Sequence, residues 1–231
     1  MTPEDGKRLA ATAAADLVES GMLVGLGTGT TAAIAIDRLI DRARDGLSIT
    51  CVPTSLASAR QARAGGLSVL DEPPRSGSID LTIDGADEIE LGSLNLIKGL
   101  GGALLWEKIV AAASHRLVII GDDTKVVSAL GQRAKVPLPI EVIPFGWERT
   151  AGRIEALGGS PVRRPGRGGD PFHTDGGHFI LDCHFPAGTD MVRLEADLSA
   201  MVGVVETGLF IGMTEMALVG TGSGLRTLRR T

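Results

Sequence analysis

Tyrosine is absent from these 231 residues, and all aromatic residues together make up only 3%. Proteins that grip single-stranded nucleic acid stack bases on aromatic platforms, so this composition excludes that mode of binding. Basic side chains are also in deficit, 23 against 28 acidic ones, and the formal net charge of −5 disfavours both nucleic-acid backbones and anionic membrane surfaces. No stretch approaches the roughly twenty apolar residues that a membrane span requires. The N-terminus has no basic segment leading into an apolar core. Cysteine is scarce: Cys51 and Cys183 lie far apart, each in an apolar, strand-like context, as expected of buried thiols in a reducing compartment. These absences point to a soluble cytoplasmic protein with neither a nucleic-acid nor a membrane partner.

Apolar residues, by contrast, reach 43%, a normal globular share for a chain that can build a full core. The opening MTPEDGKRLAATAAADLVES reads as a capped helix, with Thr2 as cap, Pro3 at the first helical position and Asp5 closing a capping box. Beyond it, short apolar runs alternate with helical patterns. MLVGLG, SITCV, LSVL, IDLTID and RLVIIGD read as strands, while TTAAIAIDRLIDRARD, SLASARQARA and GALLWEKIVAAASHR read as helices. This β-α-β-α order predicts an α/β fold, a Rossmann-like parallel sheet with helices on both faces. The pattern changes at VPLPIEVIP (136–144), where a smaller α+β unit follows: helix WERTAGRIEAL, strand SPVRR, strand HFILDCHF and helix RLEADLSAM. The expected division is a main domain of residues 1–131 and 207–231 with a small domain of 132–206 inserted. VVETGLFIG and MALVGT are expected to return to the first sheet, and the basic LRTLRR to be a solvated terminus.

GLGTGTTA (25–32) joins a strand to a helix start, where free backbone N–H groups and the helix dipole favour an anion. A dinucleotide fingerprint needs glycine at position 30, and a nucleotide P-loop needs Gly-Lys-Ser/Thr; neither is present. A small phosphorylated ligand fits better. IDGADEIE (83–90) sets four carboxylates at the C-terminal end of a strand, where open α/β sheets bind ligands. Its spacing matches no calcium loop, and no histidine or cysteine lies near enough to complete a transition-metal site. In NLIKGLGGALLWEKIVA (95–111), Lys98 enters a glycine run whose N–H groups suit an oxyanion. Glu107 falls on an apolar stripe with no basic residue at helical spacing, so desolvation should raise its pKa. A base, an oxyanion site, hydroxyl-binding carboxylates and a phosphate loop are what aldose–ketose isomerisation needs.

GLGTGTTA, IDGADEIE, IKGLGGALLWEKIVA, GDDTK, VPLPIEVIP and VGVVETGLF, in this order, closely resemble ribose-5-phosphate isomerase, type A, nearly end to end. The resemblance implies a two-domain α/β fold, homodimeric or homotetrameric assembly, no cofactor and no metal. It further implies interconversion of D-ribose 5-phosphate and D-ribulose 5-phosphate. Carried onto this chain, the family's substrate-binding positions fall on Thr28, Gly29, Thr30 and Thr31, on Asp84, Gly85, Ala86 and Asp87, on Lys98, Gly99, Leu100 and Gly101, and on Lys125. The proton-transferring glutamate falls on Glu107. Asp84 is then expected to assist ring opening, Asp87 to hold hydroxyls, and Lys98 to stabilise the enediolate. Three departures stand out: Leu100 replaces a glycine and bears on the loop's backbone angle, Trp106 stands where a basic residue is common and bears on the site's rim, and Thr30 replaces serine.

Rival readings that share this class of fold are a related sugar-phosphate enzyme, such as an amino-sugar-phosphate deaminase, and a non-enzymatic sugar-phosphate sensor. His173, His178, Cys183 and His184 match no common zinc spacing, with His178 and Cys183 on opposite faces of one strand.

Overall fold

The computed structural model describes residues 2–231. Helix α1 (Pro3–Ala15) opens with the expected capping box between Thr2 and Asp5. Its buried face is Gly6, Ala10, Ala11, Ala14 and Ala15, small side chains that let the helix lie close on the sheet. The chain then alternates through β1 (Leu23–Leu26), α2 (Thr30–Arg44), β2 (Thr50–Pro53), α3 (Leu56–Ala64) and β3 (Ser68–Val69). After a turn come β4 (Leu81–Gly85), the short β5 (Glu88–Glu90) and β6 (Leu96–Ile97), α4 (Leu104–Ala112) and β7 (Leu117–Asp122). A 3-10 turn at Asp123–Lys125 leads into β8 (Val126–Val127).

Residues beyond 136 build a second group: β9 (Leu138–Val142), α5 (Trp147–Ala156), β10 (Ser160–Arg163), β11 (Phe179–His184), α6 (Met191–Ser199) and β12 (Val204–Thr207). The chain closes with β13 (Leu209–Phe210), β14 (Met216–Thr221) and β15 (Gly224–Arg229).

Seven strands form the main sheet in the order β15-β14-β7-β4-β1-β2-β3, parallel throughout except for β15. Its central strands β1, β4, β7 and β14 are buried on both faces, as parallel sheets require. Val118 and Ile120 of β7 pack with α1 and α2, whereas Leu117 and Ile119 pack on the opposite side with Ala111 of α4. A second sheet, β10-β11-β9-β12, is antiparallel and carries its own core, in which Ile140, Ile154, Leu181 and Leu198 are buried. The third, β13-β6-β5-β8, is a four-stranded patch linking the two.

One expectation for the C-terminal part does not hold, and another holds in part. VVETGLFIG does not return to the first sheet: β12 pairs with β9, and β13 pairs with β6. A turn at Gly208 separates them, and its N–H is bonded to Pro139 O at 2.8 Å. Only MALVGT enters the main sheet, beside β7. LRTLRR is largely solvated, as expected, but it is also an ordered strand. It falls largely within β15, the antiparallel edge strand, where Leu228 is buried while its basic neighbours face water. Charged side chains on an edge strand block further strand addition, which accounts for the composition.

Replacing Leu228 by alanine is therefore expected to destabilise the fold by about 2 kcal/mol or more, the usual cost of truncating a buried leucine. Urea denaturation measures it; an unchanged midpoint would return this segment to solvent.

Candidate active site

The strand order reverses around β1 and β4, and such a switch point opens a crevice at the C-terminal ends of the strands. The loop after β1 enters it first. Gly27 lies against β4 so closely that a Cβ there would sit 2.2 Å from Asp84 Oδ1, and Gly29, the N-cap of α2, takes φ 108°. No side chain caps α2, so the N–H groups of its first turn face the crevice unbonded to a capping side chain. The hydroxyl of Thr28 is turned away, bonded to Thr54 Oγ1 at 2.7 Å and Ser55 Oγ at 2.8 Å.

A cleft opens here, lined by Thr28, Gly29, Thr30 and Thr31 at one end and by Lys98, Gly99, Gly101 and Glu107 at the other. Gly85, Ala86, Asp87 and Lys125 complete the wall. Of the fourteen positions singled out from sequence, the cleft gathers all but two. Leu100 turns its side chain to solvent (41% exposed) and contributes only its backbone N–H, which donates to Asp87 Oδ2 at 3.0 Å. Its replacement of glycine leaves the loop geometry intact, because the positive φ angles fall on Gly99 (104°) and Gly102 (82°). Asp84 is the second exception. It lies beneath the cleft with its carboxylate 1% exposed, accepting from Thr28 N–H at 3.1 Å and Gly85 N–H at 2.7 Å.

Lys98 is the hub of the floor. Its ammonium, 3% exposed, sits 3.0 Å from Asp84 Oδ2, 3.3 Å from Glu107 Oε2 and 2.5 Å from the carbonyl oxygen of Gly85. The ring of Phe210 lies 5.4 Å from it, a cation–π distance. Glu107, isolated along its own helix, thus gains its cation from another segment of the chain. The contact is electrostatic only: Oε2 has no hydrogen-bond partner among the described residues, although it is buried.

Burial dominates the electrostatics. It pushes Glu107 up to about 8, an effect that Lys98 opposes and the charges of Asp84 and Asp87 reinforce. Asp84 is also pushed up by burial, but Lys98 and two backbone N–H groups support its charged form. For Lys98, burial favours the neutral amine, yet Asp84 and Glu107 outweigh it and hold the ammonium charged above its ordinary range. With hydrogen bonds concentrated on Asp84, Glu107 is the carboxyl that takes up a proton near neutrality.

Lys7 was not anticipated. It projects from α1 into the cleft, 3.4 Å from Thr30 Oγ1, and adds a cation beside the start of α2. The KR pair in a capped, alanine-rich helix gave only a weak signal, since surface lysines on such helices are common. Trp106 is not at the rim of this cleft; it lines a separate one with Pro53, Pro73 and Ile109. Among the described residues no three histidine, cysteine, aspartate or glutamate side chains come together to hold a metal. His178 bonds Glu141 Oε1 at 2.9 Å, and both cysteines are buried and free. No helix is long and apolar enough to cross a membrane.

A mainly parallel sheet with a lysine and a proton-accepting carboxyl buried at its switch point is the frame of an isomerase. The chain belongs to the ribose 5-phosphate isomerase A (phosphoriboisomerase A) family, whose profile matches residues 50–224. It is 53% identical to ribose-5-phosphate isomerase A of Gloeobacter violaceus, covering 96% of this chain and 95% of that one. Against the enzyme of a Synechococcus strain the identity is 52%, with 97% of each chain covered. Among solved structures, a D-ribose-5-phosphate isomerase in complex with phospho-erythronic acid superposes with a TM-score of 0.94 at 36% identity over the full length of both chains. Ribose 5-phosphate isomerase A from Methanocaldococcus jannaschii gives 0.93 at 37%, covering 99% of this chain and all of that one.

The raised pKa of Glu107 has a consequence for stability. From its ordinary value of 4.5 up to about 8, the folded protein holds a proton that the unfolded chain releases. The stabilisation from this group is complete below the lower value and is lost as pH rises through the upper one. Glu107→Gln has no proton to lose, so its stability relative to the parent should rise between about pH 5 and about pH 9. Urea melts across that range test the sign; a relative stability that falls with pH would contradict it.

Proposed function

We propose that this chain interconverts D-ribose 5-phosphate and D-ribulose 5-phosphate through an enediolate, with Glu107 carrying the proton. The observation behind this is the buried Lys98–Glu107 pair on the floor of a cleft whose far end is an uncapped helix start. The phosphate sits at residues 28–31, where the first-turn N–H groups of α2 and the ammonium of Lys7 supply positive charge; Lys125 completes the cradle. That anchor holds the sugar's other end over Glu107.

In the open aldose, Glu107 takes the C2 proton and returns it to C1. A carboxyl with a pKa near neutrality suits both halves of that transfer. Lys98 and the amides of the 99–101 loop stabilise the oxygens of the enediolate. Asp87, whose carboxylate lines the cleft, holds sugar hydroxyls. For Asp84 the geometry favours a different role from direct action on the ring oxygen: both its oxygens are engaged, so it anchors Lys98. The complex of a relative with phospho-erythronic acid supports the reading, because that ligand combines a phosphate with a carboxylate, the two charges that an enediolate phosphate also carries. The chemistry requires no cofactor.

The protein is further proposed to act in the cytoplasm as a homodimer or homotetramer, organised as domains of 1–131 with 207–231 and of 132–206. The separate sheet and core of the second segment support the division. Phe145, 94% exposed, and Val202, 79% exposed, support burial against another subunit. The acidic net charge weighs against nucleic acid as a partner.

Glu107→Gln should retain affinity for inorganic phosphate while turnover falls about a hundredfold or more, the usual loss for a missing general base. Run in heavy water, the parent enzyme should place deuterium on the transferred carbon in part of the product, since the proton rests on an exchangeable acid. Near-normal turnover of the variant would remove Glu107 from the proton path. Lys7→Met should raise KM for ribose 5-phosphate about tenfold with a smaller effect on kcat, as for a group that binds the phosphate equally in ground and transition states. A loss confined to kcat would move Lys7 from the phosphate to the chemistry.

A further inference from the structure

The loop at 99–102 is held from outside its own sheet. Arg164 follows β10, in the segment between the two halves of the main sheet, and its side chain is only 12% exposed. Nε and Nη2 form a two-pronged bridge to Asp182 of β11, at 2.9 and 2.5 Å. Nη1 donates to two successive carbonyl oxygens, those of Gly99 at 3.0 Å and Leu100 at 3.1 Å. The backbone of Arg164 is itself fixed on both sides, its N–H donating to Ile180 O at 2.8 Å and its carbonyl accepting from Phe172 N–H at 3.0 Å. Phe172 packs under the guanidinium, 5.7 Å away, and against Gly102.

A trans peptide unit is planar, and its C=O and N–H point in opposite directions. Pulling the Gly99 carbonyl toward Arg164 therefore drives the Leu100 N–H the other way, and that N–H reaches Asp87 Oδ2 on the cleft side. The next unit follows the same rule: with the Leu100 carbonyl on Arg164, the Gly101 N–H is directed at the cleft that Gly101 lines. Within the loop, the Gly99 carbonyl also accepts from Gly102 N–H at 3.0 Å, but the Leu100 carbonyl is held by Arg164, and glycine peptides left unheld flip readily.

We propose that Arg164, braced by Asp182, is a positioning residue that aims the loop amides at the developing oxyanion. Lysine cannot replace it, since only the planar fork satisfies a carboxylate and two carbonyls together. The inference rests on the reading that these amides meet the enediolate.

Arg164→Gln and Arg164→Lys test it, with Asp182→Asn as a second disruption that leaves the arginine in place. For each, kcat and KM for ribose 5-phosphate are measured, with inhibition by phospho-erythronic acid and by inorganic phosphate. Expected in all three is a fall in kcat of about ten- to a hundredfold, the scale of a misaimed oxyanion site. Affinity for phospho-erythronic acid should drop about tenfold, while inhibition by phosphate stays within about twofold. Unaltered kcat and analogue affinity in Arg164→Lys would overturn the clamp, and so would a parallel loss of phosphate affinity, which marks general loosening. If the parent enzyme binds phospho-erythronic acid no better than phosphate, the underlying reading of the loop fails instead. Should the Arg164 variants not fold, Asp182→Asn carries the decision by the same criteria.

Discussion

Three ionised or ionisable groups share one pocket almost without solvent, and much of this structure follows from the need to make that tolerable. Burying an unpaired charge costs several kcal/mol even after relaxation. Lys98 sits between Asp84 and Glu107, so one cation faces two carboxyls and the cluster carries an excess negative charge when both are ionised. That excess is relieved in two ways. Asp84 receives backbone N–H groups from Thr28 and Gly85, which fix its negative charge. Glu107 receives no hydrogen bond on Oε2 and relieves the strain by holding a proton near neutrality. A group whose ionisation is nearly balanced is what a reversible proton transfer requires, because neither direction then begins uphill by much. The cost of burial and the suitability for catalysis have the same origin.

Around this cluster the local sequence choices become intelligible. Gly27 must lack a Cβ because the carboxylate of Asp84 occupies that space, and the same contact lets the Thr28 N–H reach Asp84. The loop after β1 and the ion cluster are therefore one unit: the backbone that turns into α2 also stabilises the anion beneath Lys98. On the opposite side, β6 brings Lys98 in, and β13 places Phe210 beside it. The ring offers its negative face to the ammonium without adding another ionisable group, so it supports the charge of Lys98 without disturbing the proton balance of Glu107.

How much of this could be read from the sequence depended on how local each signal was. The strand–helix alternation through residue 122 was legible because each element carries its own period, and both glycine loops were legible because they sit at strand ends. Twelve of the fourteen proposed positions line one cleft for the same reason. Asp84 lies deeper than its strand pattern could say: that pattern fixes direction along the sheet, but not whether a carboxylate meets the ligand or a lysine in another segment of the chain. Glu107 looked unpaired because helical spacing counts only neighbours on the same helix, and its cation arrives from a strand. Lys7 and Arg164 escaped notice for a related reason, since each reaches the site from an element whose own pattern is accounted for by packing. β12 and β13 were assigned to the wrong sheet because a strand's period gives its faces and says nothing of its partner.

The two ends of the cleft are held by different means, and the difference suits what each must do. On the proposed reading the phosphate, whose charge is the same throughout the reaction, is served by a fixed helix start on the main sheet, where interactions are equal in ground and transition states. Charge at the reacting end develops only as the proton leaves, and donors must already point at where it will appear. A glycine loop offers amides at close range but has little intrinsic preference for their direction. Its direction has to come from packing, and here it comes from across the junction with the second sheet, through a guanidinium that binds two carbonyls and is itself locked by Asp182. The second sheet thereby has a reason to exist beyond burying its own core. Without it, the loop beside Lys98 would keep only its own turn bond and the Leu100 N–H bond to Asp87, and the Leu100 carbonyl would lose the partner that sets the direction of the Gly101 amide.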